Sequence, residues 1–326
     1  MHFMRRGGAL CAILLCVLAI FPTCADEIDP ALESALSSIA AKHYENLFLS
    51  IGSFTYADSG IAGPFSRYLA DRITVAVAKL SSSVSLYMHD ATDDMPAEFK
   101  EVFGTFISAK GVRQIVRGRY GEEGNVVKVS IEVIDFSTGT LVGREDISVP
   151  RSAIPRSAAL VPQNFDLAVN AMRDLGDILA GRQGSFAIAA TTTRGNGAVY
   201  QEDESFVLNI ASSKDCYVKV YHVNAEGVMK LIFPEKGYSN FVKARTLFTV
   251  PDAEYPVDFV VAPPFGAESL KIVAATEPFA VIEPAFIPLG RAKKEFVSMD
   301  LKPREKDSKA LAEAAEVYIV YTTIPK

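Results

Sequence analysis

Apolar and polar positions alternate with a period of two through most of the second half of this chain. The clearest case is the stretch 215–234. Cys216, Val218, Val220 and His222 point one way, and Tyr217, Lys219, Tyr221 and Val223 point the other. Asn224, Ala225, Glu226 and Gly227 then turn the chain, with Gly227 free to take a positive φ. Met229, Leu231 and Phe233 oppose Val228, Lys230 and Ile232 until Pro234 ends the ladder. The pattern predicts a β-hairpin that is core structure. Further strand-like runs at 186–191, 205–210, 247–250, 257–261, 269–275 and 317–323 surround it, with turn residues between, and predict a β-sandwich. The charged run 302–315 contains a short helical candidate at 310–315.

The first half reads differently. Leu32, Leu36, Ile39 and Ala40 share one face of a helix over 30–44, with Asp29 as N-cap and Pro30 at the first helical position. A strand follows at 47–56. Pro64 opens a second helix with Phe65, Leu69, Ile73, Ala76 and Leu80 at helical spacing. A short strand at 84–88, a weaker helix at 96–109 and a strand at 112–120 come next. Val127, Val129, Ile131 and Val133 then alternate with polar residues, turn at Ser137, Thr138 and Gly139, and return over 141–149. This order predicts an α/β sandwich with its helices on one face. The fold class is therefore α+β, an amino-terminal α/β sandwich followed by an all-β sandwich. The boundaries fall at 1–25 for a signal peptide, 26–150 for the first domain, 151–184 for a linker and helix, and 185–326 for the second. The linker rests on the proline- and serine-rich run 150–162, and the helix runs from an Asn164 cap to Ala180, with Gly181 as its stop.

The first domain resembles the TolB amino-terminal-like fold. The residues that carry this are Ile51 and Phe54 on the first strand, Leu69, Ala70 and Asp71 on the helix, Ile115 to Gly118 on the third strand, and Asp135 to Leu141 at the turn. That group includes the curli-secretion lipoprotein of the outer membrane, the flagellar outer-membrane protein FlgO and lipoprotein activators of penicillin-binding proteins. The resemblance implies an envelope accessory fold and no catalytic residues. The second half resembles domain of unknown function 4384. Its marks are Tyr200 with the acidic turn after it, Phe206 to Leu208, Cys216 to Tyr221, Gly227 before Leu231-Ile232-Phe233-Pro234, and Pro263-Pro264-Phe265-Gly266-Ala267-Glu268. The chain carries Glu235 where many members have asparagine.

Composition adds a compartment. The chain has 326 residues and is 49% hydrophobic, which suits about two packed domains. A net charge of −6 argues against a nucleic-acid partner. Arg5 and Arg6 precede an unbroken apolar run, 9–21, that has secretory length and is too short to span a membrane. Thr23 and Ala25 suit cleavage before Asp26. Two rival readings stay open, lipidation of Cys24 with membrane attachment and an uncleaved anchor. Once the signal is removed, Cys216 is left as a lone cysteine and reads as a small apolar core residue.

Little in the sequence points to catalysis. His89, Asp90, Asp93 and Asp94 form the one dense group of metal-type ligands, without the glycine or spacing of a known loop, and read as a solvated connection. His43 ends a helix, where it meets the dipole. His222 reads as a packed or interfacial residue. No catalytic, cofactor-binding or metal residue is assigned, and no cofactor is expected. Tyr238, Phe241, Tyr255 and Phe265 fall in loops between strands and form the candidate interaction surface, although they can equally fold back over the sandwich edge. The expected function is a non-enzymatic exported cell-envelope protein. It stands in the periplasm or on the periplasmic face of the outer membrane and binds an envelope protein. An envelope-polymer hydrolase and a small-ligand or glycan-binding module are the alternatives.

Overall fold

The structure is a computed structural model that describes residues 28–42, 47–80, 84–86, 113–135, 138–180, 186–279 and 313–326. The signal segment with Cys24, His43, the acidic group at 89–94, the expected helix at 96–109 and Gly181 lie outside those residues.

The first half is a five-stranded sheet with helices on one face. Its elements are α1 (Ile28–Ala41), β1 (Leu47–Tyr56), α2 (Pro64–Lys79), β2 (Val84–Leu86), β3 (Gln114–Glu123), β4 (Val126–Asp135) and β5 (Leu141–Pro150). Strand order is β2-β1-β3-β4-β5, parallel where β1 meets β2 and β3, antiparallel from β3 onward. The alternating residues Val127, Val129, Ile131 and Val133 face Leu32, Leu36 and Ile39 of α1 and Leu69 and Ile73 of α2 in one core. The helix α1 starts at Ile28, so Asp29 sits in its first turn and not at the cap, and its carboxylate takes a two-point ion pair from Arg72 of α2.

The proline- and serine-rich run is packed against this core. After a short 3-10 turn at Arg151–Ala153, the side chains of Ala153, Ile154, Ala158 and Leu160 are buried among the residues of the first half. Tyr120 of β3 fixes the crossing. Its hydroxyl accepts from the Gly63 N–H at 2.7 Å and donates to the Leu160 carbonyl at 2.8 Å. A side chain at Gly63 would stand 2.3 Å from that carbonyl oxygen, which is why the approach needs glycine.

After α3 (Phe165–Ala180) the chain is all β: β6 (Ile188–Thr192), β7 (Val199–Gln201), β8 (Ser205–Phe206), β9 (Leu208–Ser212), β10 (Cys216–Val223), β11 (Met229–Phe233), β12 (Phe241–Val242), β13 (Phe248–Val250), β14 (Phe259–Val260), β15 (Ala267–Ala275) and β16 (Ala314–Ile324). A sheet ordered β11-β10-β15-β16-β7, with β12 beside β10, faces the smaller sheets β13-β9-β6 and β14-β8. Between them lie Leu208 and Ile210, Val218 and Val220, Leu270 and Ile272, and Ile319 and Tyr321. The β10–β11 hairpin forms where the pattern predicts, with Gly227 at φ +80 and the Asn224 side chain accepting from the N–H groups of Glu226 and Val228, but a register shift between Val220 and Tyr221 breaks the expected alternation of β11: Phe233 and Lys230 pair with Val220 and His222 on one face, and Leu231 and Met229 with Tyr221 and Val223 on the other. The run 205–210 divides at Val207, whose neighbours pair with different sheets. In the helical candidate at 310–315, Ala314 and Ala315 are strand residues, paired with Ala275 and Ala274 of β15; residues 310–312 lie outside the described part.

The two halves meet along a hydrogen-bonded seam. Ile61 of the first half, Ala267 and Val320 of the second, and Phe165, Val169 and Met172 of α3 form a small apolar cluster. Around it, Thr322 donates to the Ala62 carbonyl at 2.7 Å and Ser53 to the Asn196 carbonyl at 2.5 Å. Asn164 does more than precede α3. Its side-chain nitrogen donates to the carbonyls of Ala225 and Ala267, each at 2.8 Å, and its oxygen accepts from the Ala267 N–H at 2.7 Å. Arg67 of α2 grips both oxygens of Glu204 at 3.0 and 2.9 Å, while Arg194 and the Gln201 N–H, both at 2.7 Å, hold one of the same oxygens. Burial alone would raise the pKa of Glu204, but the two guanidinium groups and the backbone donor overcome it and hold that pKa at about 2.

Candidate functional site

A cleft of about 430 Å³ opens on the sandwich of the second half. One wall is β11 with its turn, through Val228, Lys230 and Ile232; the other runs from Asp258 through Phe259 to Pro263 and Pro264. The volume lies within the range of small-ligand sites, about 300–1,000 Å³.

The floor of the cleft is polar and comes from three strands. His222 of β10 points to the interior face, as its place in the alternation requires, and its Nε2 lies 2.8 Å from the Glu268 carboxylate of β15. Glu268 is buried, with 7% of its surface exposed. Its other oxygen accepts from the Thr323 hydroxyl of β16 at 3.2 Å. The ring of Tyr321, also on β16, stacks on His222 at 6.4 Å and 17°. Burial first, and then the Glu268 carboxylate beside it, push the Tyr321 hydroxyl well above its ordinary pKa, so it stays a neutral donor. This floor is interlocked and holds no activated nucleophile: Cys216, further along β10, is buried, and burial raises its thiol pKa. Among the described residues, no three His, Cys, Asp or Glu side chains converge as a metal site.

The four candidate surface aromatics separate into two groups. Tyr238 is exposed and stands edge-on to Tyr255 at 4.9 Å, and Tyr255 lies 6.1 Å from Phe259 in the cleft wall. Phe259 continues the series to Phe206 at 5.5 Å, and Phe206 to Tyr321 at 5.4 Å. Tyr238 and Tyr255 therefore form the outer end of an aromatic line that enters the cleft. Tyr255 is also fixed by its hydroxyl, which accepts from the Glu235 N–H and donates to the Ile232 carbonyl, both at 3.1 Å. Phe241 is exposed but lies against Tyr217, on the face of β10 opposite His222. Phe265 packs against the second core.

Glu268, Tyr321 and Lys230 carry no site role in the sequence pattern, which places Lys230 only in a strand and Glu268 only in a turn. Two signals were present. Tyr321 and Thr323 share the parity of Val317 and Ile319, and Glu268 closes the Pro263-to-Glu268 turn.

The geometry can be set beside known proteins. Residues 199–278 match the family described as Domain of unknown function (DUF4384), which bears out the resemblance of the carboxy-terminal half. No curated protein matches the chain. Solved structures are similar over part of it. The LpoB C-terminal domain from Escherichia coli is 11% identical, with 39% of this chain and 97% of that one covered, at a TM-score of 0.29. Lipoprotein GNA1162 from Neisseria meningitidis is also 11% identical, covering 40% and 96%, at 0.22. TolB from Acinetobacter baumannii is 12% identical, covering 70% and 58%, at 0.18. These likenesses are distant.

Proposed function

We propose that this chain is an exported cell-envelope protein whose β-sandwich half binds another envelope component and performs no catalysis. The observation that carries the reading is the cleft floor, where His222, Glu268, Tyr321 and Thr323 satisfy one another and leave a shaped, mostly apolar wall above them. Hydrolysis of an envelope polymer would call for a pair of carboxyl groups facing each other across the substrate, whereas Glu268 is buried against its own neighbours. The amino-terminal charge and apolar run support export. A photo-crosslinking residue placed at Val260, which is 49% exposed on the cleft wall, tests the reading in whole cells. A discrete adduct that disappears when Phe259 is changed to alanine is expected. The reading fails if no adduct forms and the purified chain hydrolyses cell-wall or polysaccharide preparations.

A further inference from the structure

The binding reading of the cleft can be taken one step further, to the chemistry of what enters it. Lys230 stands directly across the β10–β11 ladder from His222, so both side chains project on the cleft side of the sheet. Lys230 is exposed and has no hydrogen bond or ion pair to any described residue. It brings one positive charge to the cleft; Asp258 brings one negative charge to the facing wall, and the Glu268 carboxylate on the floor is engaged by His222 and Thr323. Between them the surface is apolar and includes Ile232, Phe259, Val260, Pro263 and Pro264. We infer that the cleft takes a carboxylate carried on an apolar, extended stretch of peptide. Lys230 meets the carboxylate, and the Phe259–Pro264 wall holds the aliphatic or proline side chains.

Three features favour this class over others, and the inference rests on the binding reading above. A glycan needs many hydrogen-bond partners for its hydroxyls, but the floor groups are already engaged with one another. A polyanion such as a phosphate ester would bring about two negative charges to a single lysine and a facing Asp258, where a carboxylate brings one that Lys230 can offset. An extended backbone, by contrast, suits a cleft walled on one side by β11, the last strand of its sheet.

The test uses the mature full-length chain and three probes: N-acetyl-Val-Pro-Val with a free carboxyl terminus, the same tripeptide as its amide, and inorganic phosphate. Calorimetric titration at low salt should show saturable binding of the acid. The amide should bind about tenfold more weakly, and the preference should shrink as salt is added. Phosphate should not displace the acid. Lys230→Gln, a surface change, should erase the preference and leave the melting point unaltered, while Val260→Asp should weaken acid and amide alike. Equal binding of acid and amide, displacement by phosphate, a preference that survives Lys230→Gln, or no saturable acid binding would each overturn the inference. If the Val260 cross-link in cells persists while the acid shows no preference, the ligand class falls and the binding role stands. If both are absent, both fall.

Discussion

Asn164→Ala is the change by which the seam can be weighed. The Asn164 side chain makes three hydrogen bonds, at 2.8, 2.8 and 2.7 Å, to backbone groups of Ala225 and Ala267 that are distant in sequence. Alanine leaves two carbonyls and one N–H without those partners in a part-buried place. At about 0.5–1.5 kcal/mol net for each bond, the expected loss is about 2–4 kcal/mol. For a unit of this size that lowers the melting temperature by roughly 10 °C. The chain has no tryptophan, so urea unfolding followed by far-ultraviolet circular dichroism, with calorimetry beside it, is the suitable assay.

A double-mutant cycle sharpens the test. A β-carbon on Gly266 would lie 2.6 Å from the Asn164 Oδ1. Gly266→Ala therefore has to displace the asparagine and lose the same bonds. With Asn164 already shortened, much of that cost is gone, so the double variant should be more stable than the sum of the singles predicts, by about 1–2 kcal/mol. The reasoning is refuted if Asn164→Ala stays within about 0.5 kcal/mol of the parent, or if the two changes are strictly additive.

Other consequences follow from the same structure. Glu204 has its carboxyl lowered from 4.5 to about 2, so its stabilising contribution is complete above pH 4.5 and is lost as pH falls through about 2. Glu204→Gln should be less stable at neutral pH, and urea melts should show the gap closing as pH approaches 2. Phe233→Ala empties a site only 2% exposed and should cost about 3–5 kcal/mol, with Cys216→Ser and His222→Ala milder in the same thermal melts. Mass spectrometry of the cell-associated protein should find a chain starting at Asp26 or a lipidated Cys24; an intact Met1 would end the export reading. Trypsin should nick native protein at Arg156, exposed beside buried Ile154 and Ala158, and the fragments should co-elute on gel filtration because the seam holds them. Fragments that part without denaturant would count against the seam.

What the sequence showed plainly was local. The β10–β11 hairpin is visible because the alternation of β10, the Asn224-to-Gly227 turn and the closing Pro234 agree with one another, whereas the shift that brings Phe233 to the face of Lys230 leaves no mark in the pattern. The helix α2 is visible for the same reason, with Pro64 at its start and an apolar stripe behind it. The division of 205–210 is not, because Phe206, Leu208 and Ile210 keep the same parity while the backbone changes sheets at Val207. Nor is β7, whose parallel pairing joins Val199 to Thr322, far apart in the chain. Asn164 reads from the sequence as an ordinary helix cap because its partners at Ala225 and Ala267 leave no local trace. Parity places His222 on the interior face, yet its partner Glu268 shows in the sequence only as part of a turn, since an acid facing a sandwich interior is legible only once its donors are known.

The turn from Pro263 to Glu268 is a mark of the family in the sequence, and the structure supplies a physical reason for its composition. Pro263 and Pro264 stand in the cleft wall. Gly266 has no side chain because Asn164 occupies the space where one would go. Ala267 exchanges two hydrogen bonds with that same asparagine. Glu268 turns inward to hold His222 and Thr323 on the cleft floor. Six consecutive residues thus join the seam between the halves to the floor and wall of the cleft. A change at the seam, such as Asn164→Ala, reaches the cleft through its hydrogen bonds to Ala267 and then the peptide bond from Ala267 to Glu268. Weakened peptide binding in that variant, measured well below its melting temperature, would show that the first half steadies the site as well as adjoining it; unchanged affinity would show that the turn holds its shape without the asparagine.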